Sequence, residues 1–497
     1  MSVSLSWLLD GIAPIPANDA QVVDLAIDSR EVREGFLFFA LRGERSHGLA
    51  YLAEAVARGA SVVLWEPGPD VEAPLLPPSL FTAPVADLSK LVGRIADRFF
   101  RWPSSQLSIV GVTGTNGKST CAYLTAQCLA LLRRESAYIG TIGWGRIGAL
   151  EGLVHTTPDA VSVHRMLAHL KAQGVREVAM EVSSHALDQG RVNGVRFHSA
   201  VFTNLTRDHL DYHSSMQSYG EAKARLFTAP DLEQAIINVG DAFGRELARR
   251  FTGRTPVTAV WIGANGGAWL AERTLHASEV DVDLHGVAMR LDGSFGPMRL
   301  GTRLLGRFNA ENALIVLGVL AALGVPPAAA AGALAECRAP PGRMELIESA
   351  APGRALAVID YAHTPDALAK ALAALREHCR GALWCVFGCG GDRDPGKRAL
   401  MGAIADELAD EIIVTDDNPR SEDPETIVRA ILSGVEAHRA RIIHDRGAAI
   451  ATALNAAGAR DAVLIAGKGH EDYQIYGATR RSFSDRREVL KILGAAA

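Results

Sequence analysis

Gly111-Val112-Thr113-Gly114-Thr115-Asn116-Gly117-Lys118-Ser119-Thr120 decides how this chain is read. The run Leu107 to Val110 before it reads as a buried strand. Cys121 to Leu132 after it has the length and apolar content of a helix. Strand, glycine-rich turn and helix make the setting that a phosphate-binding loop needs. Glycines let the backbone turn its N–H groups inward on an anion, and the helix N-terminus adds partial positive charge. Lys118 brings a full charge for terminal phosphates, and Ser119 or Thr120 a hydroxyl suited to Mg²⁺. Val112 stands where a strict Walker A loop carries its first glycine, so this loop is a variant. The bland alternative is a flexible turn with an exposed lysine, which fits Gly-Lys-Ser-Thr in this setting poorly.

Three regions extend outward from the loop. The first runs to Pro103, with strand-like Val22 to Ile27 and Gly35 to Ala40 separated by Asp28-Ser29-Arg30. Trp102-Pro103-Ser104-Ser105 reads as a linker. The second runs from residue 104 to Ala339. Its strands are expected at Glu177 to Val182, Ser199 to Thr203, Gln234 to Asn238 and Thr258 to Ile262, with helices between several of them. That alternation predicts a parallel α/β sheet. Ser278 to Leu304 alternates like an antiparallel excursion, and Ala310 to Leu323 is an alanine- and leucine-rich helix. From Pro340-Pro341-Gly342 onward, strands are expected at Ala355 to Asp360, Ala382 to Phe387, Glu411 to Thr415 and Asp461 to Ala466. This predicts a second open α/β sheet, Rossmann-like, with its ligand beyond the carboxyl ends of the strands.

Composition sets the outer bounds. A chain of 497 residues is too long for one core, and two to four domains are expected. With 48% hydrophobic and 22% charged residues it reads as a soluble globular enzyme. A net charge of −5 argues against a basic nucleic-acid-binding surface. The six cysteines form no CxxC pair, which fits a reducing cytoplasm, and Cys385 and Cys389 read as buried thiols. Met1 to Pro14 lacks the features of a signal peptide, and no apolar run approaches the ~20 residues of a membrane helix.

Polar clusters follow the predicted strands. In the second region these are Glu181 to Arg191 and Asn204 to His213. Glu181 and His209 are candidates to meet near a triphosphate and hold Mg²⁺, the carboxylate being the better ligand for a hard cation. His209 reads equally well as a hydrogen-bonding loop residue, and His185 and His213 as structural. Lys223, by spacing alone, is a helix-surface lysine. In the third region the clusters are Asp360 to Asp366, Gly388 to Asp394, Asp416 to Arg420 and Gly467 to Glu471. Arg393 and Arg420 suit carboxylates, and Asp417 and Glu471 suit an ammonium, so the pocket suits an amino acid.

These stretches resemble the Mur ligase family, within a superfamily shared with folylpolyglutamate ligases. The resemblance spans all three regions. It rests on Gly-Thr-Asn-Gly-Lys-Ser, His155-Thr156-Thr157-Pro158, the Glu181 cluster, Asp208-His209-Leu210-Asp211 and the tetrad Asp417-Asn418-Pro419-Arg420. It implies three α/β domains: a uridine-nucleotide domain (1–103), a P-loop ATPase-like domain (104–339) and an amino-acid-binding domain (340–497). It implies ATP-dependent addition of meso-2,6-diaminopimelate to the D-glutamate γ-carboxylate of UDP-N-acetylmuramoyl-L-alanyl-D-glutamate through an acyl phosphate, in peptidoglycan precursor synthesis. ATP is expected between the central and last regions, with Mg²⁺, in a cytoplasmic monomer without nucleic-acid partners.

By that resemblance Ile27, Ser29, Glu44, Arg45 and Ser46 contact the uridine nucleotide. Thr156, Thr157, Ser183, Gln189 and Arg191 hold its muramoyl dipeptide. Gly114, Thr115, Asn116, Gly117, Lys118, Ser119 and Thr120, with Asn309, Arg343 and Asp360, contact ATP. Ser119, Glu181 and His209 serve the metal. Lys223 falls on a carbamylated lysine, and Lys118, Lys223 and His363 are the catalytic candidates. Arg393, Asp417, Asn418, Pro419, Arg420, Gly467 and Glu471 match the diaminopimelate pocket, with the tetrad as its mark. A neighbouring ligase sharing the loop, or a nucleotide-binding protein without catalysis, are the competing readings. The tetrad and Asp28-Ser29-Arg30 argue against the first. Lys118, Glu181, His209 and Lys223 argue against the second.

Overall fold

The computed structural model describes residues 2–14, 19–43, 46–69, 71–74, 80–263, 271–283, 286–349 and 353–494. They fall into two compact units. The first holds the chain through Lys118 and from Leu129 to Thr258; the second holds Ser119–Cys128 and the chain from Arg273 onward.

The first unit holds a two-stranded antiparallel pair, Val3–Ser4 with Gln21–Val22, and two larger sheets. The smaller has four parallel strands in the order Asp24–Ala26, Phe36–Ala40, Ala60–Trp65 and Phe81–Pro84. Leu25, Leu37, Phe39, Val62 and Leu64 face one core with Val92 and Ile95 of the helix Leu88–Phe99; Ala26, Phe38 and Val63 face another. Alternate residues thus bury on opposite faces, as a strand covered on both sides requires. The expected linker at Trp102 is instead packed. Pro103–Gln106 is a 3₁₀ turn with Pro103 and Ser104 buried, and Ser104 Oγ lies 3.4 Å from Asp97 and accepts the Arg196 N–H at 3.2 Å. A proline-containing polar stretch reads as a linker only until its hydroxyls find buried partners.

The larger sheet of this unit places Ser108–Thr113 between Glu177–Glu181 and Ser199–Phe202, all parallel. Ser136–Gly140 pairs parallel on the far side of Glu177–Glu181, and Gln234–Asn238 on the far side of Ser199–Phe202. Gly143–Arg146 and Ala149–Glu151 extend it antiparallel. The carboxyl ends of the three central strands therefore lie side by side. There the sequence carries the phosphate loop, the Glu181 cluster and the Asn204 cluster.

In the second unit, Arg273–Asp283, Gly286–Gly293 and Met298–Thr302 form the expected antiparallel excursion, next in sequence to the helix Arg307–Ala322. The last sheet runs Glu345–Ile347, Leu356–Asp360, Ala462–Ala466, Leu383–Phe387, Glu411–Val414, Ala440–Ile442, parallel except for its first pair. Its two faces bury separate apolar clusters, around Leu372 and Phe387 on one side and Ile450 and Val463 on the other. Asp360 pairs with Ala466, and Phe387 with Val414, so the four predicted polar loops leave one edge of one sheet. No helix among the described residues is long and apolar enough to cross a membrane.

Candidate active site

The phosphate loop is fastened to the neighbouring strand end. Thr115 N donates to Asn204 O at 2.8 Å and Asn116 N to Asn204 Oδ1 at 2.9 Å. Thr115 Oγ1 donates to Thr206 O and accepts the Thr206 N–H, at 3.2 and 3.0 Å. Thr203 Oγ1 closes the contact on Asn116 O at 2.6 Å. Thr115 thus fixes the loop with its hydroxyl, and Asn116 with its main chain and with its amide, which donates to Thr206 Oγ1 at 3.3 Å. Gly114 has φ +146°, and a Cβ there would lie 1.9 Å from Thr203 Oγ1, so only glycine fits. Lys118 opens the helix Lys118–Leu131, with Ser119 and Thr120 in its buried first turn.

Lys223 departs from its surface reading. It lies in the helix Met216–Ala224, is 1% exposed, and donates to Gly114 O at 2.7 Å, with its Nζ 4.2 Å from the Tyr219 ring centroid. Burial, with Lys118 nearby, pulls its amine well below the ordinary lysine value. Spacing could not reveal this, because Lys223 is buried on the same helix face as Tyr219, Gly220 and Ala222, and its partner Gly114 is remote in sequence.

Glu181 is 0% exposed at its strand end. Its Oε1 accepts from Tyr138 Oη and from Thr141 N at 2.8 Å, and Oε2 from Thr141 Oγ1 at 3.2 Å. Tyr138 and Thr141 were missed, since only the pairing of Ser136–Gly140 with Glu177–Glu181 brings them to this carboxylate. Thr157 Oγ1 donates to Glu181 O at 2.9 Å and accepts from Ser183 N at 3.1 Å. Thr156 Oγ1 lies 3.0 Å from Thr141 Oγ1. Ser183 caps the short helix Ser184–Asp188. Arg191 donates to Thr157 O at 3.0 Å and forks onto Gln189 Oε1 at 2.9 and 2.6 Å. The five residues expected around the dipeptide are thus gathered beside Glu181.

His209 sits at φ +51° with its ring half exposed, 4.9 Å from the His185 ring. His213 is buried, bonded to Ser184 Oγ at 2.9 Å and set against Tyr219. Burial lowers the His185 and His213 imidazoles, favouring neutral rings. Among the described residues no group of three or more His, Cys, Asp or Glu is placed to hold a metal. Mg²⁺ commonly takes one or two carboxylates and completes its shell with phosphates and water. Glu181, a buried carboxylate at the end of the strand beside the one that leads into the phosphate loop, fits that use.

Ile27 and Ser29 line a cleft of about 880 Å³ together with Tyr51, Glu54 and His155. Ser29 Oγ donates to Glu54 Oε2 at 2.7 Å. Ser46 Oγ lies 3.3 Å from Tyr51 Oη. Glu44 and Arg45 lie outside the described residues.

In the second unit Asp360 accepts from Met344 N and Ala362 N, both at 2.8 Å. Burial pushes its carboxyl up, against the pull of Arg343. Arg343 stands 4.8 Å over the Tyr361 ring, and its buried Nε has no hydrogen-bond acceptor among the described residues. His363 Nδ1 lies 2.7 Å from Tyr361 O. Asn309 is turned inward, its amide bonded to Leu305 O at 2.7 Å and to Asn312 Nδ2 at 2.8 Å.

The tetrad is braced from below. Asp416 accepts from His444 Nδ1 at 2.9 Å and Tyr476 Oη at 3.0 Å, while Gln474 donates to the carbonyls of Asp416 and Asp417. Arg420 adopts φ +54°, its N–H bonded to Ile475 O and its guanidinium to Gly391 O at 2.7 Å. Pro419, buried, closes a turn onto Glu422 N. Arg393 is exposed on the adjacent loop. Gly467, at φ +116°, abuts Asp417, whose Oδ2 would be 2.7 Å from a Cβ there. Glu471 accepts from Asn418 Nδ2 at 3.0 Å. Cys385 and Cys389 are buried as expected, and burial pushes both thiols up to about 12.

Three family models match in succession: "Mur ligase family, catalytic domain" over residues 22–100, "Mur ligase middle domain" over 112–320, and "Mur ligase, glutamate ligase domain" over 342–469. The chain is 47% identical over 487 residues to a protein of Alkalilimnicola ehrlichii named UDP-N-acetylmuramoyl-L-alanyl-D-glutamate--2,6-diaminopimelate ligase, covering 96% of each. It is 45% identical to the protein of that name from Pseudomonas aeruginosa, covering 98% of each. A solved structure bearing the same name matches with TM-score 0.70 and 35% identity over 99% of both chains. MurF from Thermotoga maritima, solved in complex with ADP, shares the fold at TM-score 0.60 and 17% identity, over 95% of this chain and 96% of that one.

Proposed function

This chain belongs to the Mur ligase family, and we propose that it joins meso-2,6-diaminopimelate to the D-glutamate γ-carboxylate of UDP-N-acetylmuramoyl-L-alanyl-D-glutamate, using ATP. The observation that carries this reading is the edge of the last sheet. Arg393, Asp417, Arg420 and Glu471 emerge there from three adjacent strands, with both signs of charge. An amino acid with two carboxylates and two ammonium groups needs both.

The γ-carboxylate attacks the ATP γ-phosphorus, ADP leaves, and an acyl phosphate forms. The diaminopimelate amine then attacks the acyl carbon, releasing phosphate and leaving an amide. Lys118 stabilises charge on the transferring phosphoryl group, where positioning and electrostatics supply most of the catalysis. Mg²⁺, when bound, neutralises phosphate charge, and Ser119, Glu181 and His209 would hold it. Tyr138 and Thr141 keep Glu181 oriented. Thr156, Thr157, Ser183, Gln189 and Arg191 hold the dipeptide, and Ile27, Ser29 and Ser46 the uridine nucleotide.

Gly114 through Thr120 cradle the phosphates, and Asn309, Arg343 and Asp360 complete the ATP contacts. The unsatisfied Arg343 Nε supports an anionic ligand there. Lys223 carries a carbamate. Its buried, deprotonation-prone amine supports that assignment, because carbamylation requires the free amine. Residues 1–103, 104–339 and 340–497 divide the tasks among nucleotide substrate, ATP and amino acid, in a cytoplasmic monomer.

The test is ligation of the UDP-dipeptide with ATP, Mg²⁺ and bicarbonate, offering diaminopimelate and L-lysine in parallel and weighing the product by mass spectrometry. Product with diaminopimelate alone is expected. Product with lysine overturns the role given to Arg420, and no product with either overturns the reaction.

A further inference from the structure

One buried cation in the last sheet has no role in the reaction described above. Lys468, between Gly467 and Gly469, is 0% exposed. Its Nζ donates to Glu471 Oε2 at 3.0 Å and to Asn418 Oδ1 at 3.3 Å. Asn418 Nδ2 donates to that same Glu471 oxygen at 3.0 Å, and Asn418 Oδ1 also accepts the Ile475 N–H at 3.1 Å. Three side chains from two neighbouring loops therefore close a ring of hydrogen bonds. The ring fixes the asparagine amide, since its oxygen meets two donors and its nitrogen one acceptor. It also engages Glu471 Oε2 twice, while Oε1 takes no part in the ring.

A lysine enclosed this completely is costly unless its charge is matched and bonded. The match here is a residue assigned to the amino-acid pocket. We propose that Lys468 is a positioning residue: it touches no substrate, and it holds Glu471 and Asn418 so that Glu471 Oε1 receives an ammonium of the incoming amino acid. This rests on the reading of the 417–420 and 467–471 loops as the amino-acid pocket. Losing Lys468 then weakens amino-acid binding selectively, through Glu471, and leaves ATP and the nucleotide substrate alone.

The test measures kcat and the three substrate KM values for K468M, E471Q and K468M/E471Q. K468M is expected to raise the amino-acid KM about tenfold or more, as when one partner of a buried bonded charge pair is removed. The other two KM values stay within about twofold. In the E471Q background the same change adds less than about threefold, because coupled residues are not additive. An unchanged amino-acid KM in folded K468M, with a raised one in E471Q, overturns the proposal and keeps the pocket. No change in either variant overturns the pocket reading itself. Equal factors in both backgrounds, or a parallel rise in all three KM values, means a purely structural lysine and also overturns it. Should K468M not fold, K468M/E471Q, which removes both charges, is compared with E471Q. A further rise beyond about threefold in amino-acid KM then counts against the proposal.

Discussion

Lys118 and Lys223 donate to the same carbonyl oxygen, that of Gly114, at 3.0 and 2.7 Å. Two ammonium groups on one acceptor repel, and the buried one is the more easily deprotonated. Conversion of the Lys223 amine to a carbamate would replace repulsion by attraction across the loop. We therefore expect activity to depend on bicarbonate and K223M to lose about a hundredfold in kcat, the scale of one lost electrostatic group in a preorganised site. With ¹³C-bicarbonate, a carbamate resonance should appear in the wild type and not in K223M. Full activity in bicarbonate-free buffer would rule the modification out.

Arg420 is held in a left-handed backbone conformation, tied to Ile475 and Gly477 through its main chain. That bracing costs conformational freedom and makes sense if the guanidinium must face a carboxylate. R420A should lower kcat/KM for diaminopimelate by about a hundredfold, one charge-assisted bidentate pair, with little change for lysine. Competition between the two amino acids, read by product mass, checks it. A variant that keeps the wild-type preference would leave the second carboxylate to another residue.

His444 is bonded to Asp416, which raises its imidazole above the usual histidine value. A raised native value means that the folded state holds the proton more tightly than the unfolded chain. The contribution is complete below the unfolded value, about 6.5, and fades as pH climbs through the raised native value. The ring is partly exposed, so the effect is small. Urea midpoints of the wild type should fall between pH 6 and pH 8.5 more than those of H444Q. Identical slopes would show that the Asp416 contact has no linkage to stability.

Arg446 and Asp485 form a fully buried fork, Nε to Oδ1 and Nη2 to Oδ2, both at 2.7 Å. Arg446 Nη2 also reaches Ala466 O, the carbonyl just before Gly467. R446M alone should destabilise the last sheet by about 3–5 kcal/mol, since it strands a buried carboxylate. R446M/D485L should recover much of that, because neither charge remains to be solvated. Denaturant unfolding of both variants decides the point, and equal losses would place the cost in packing.

The residues along the chain determined the local chemistry. The strand, turn and helix around Lys118, the two parallel sheets and the four polar loops of the third region were all legible, because apolar periodicity sets local elements and connection length sets parallel pairing. Asp417 to Arg420 and Gly467 to Glu471 could be recognised for the same reason: each lies in one contiguous loop. Short elements escaped. Ala440–Ile442 is only three residues long, and Ser136–Gly140 mixes its apolar residues with serine and glycine. What only the tertiary structure decided depends on which strands are neighbours, a long-range property that no window of sequence contains. Tyr138 reaches Glu181 because their strands pair. Lys223 is buried because its helix meets the phosphate loop, and Lys468 finds Asn418 because the 411–414 and 462–466 strands flank the same neighbour. A lysine on a helix or between two glycines looks solvated in sequence. Its surroundings, supplied by residues 109 positions away for Lys223 and 50 for Lys468, make it a buried charge.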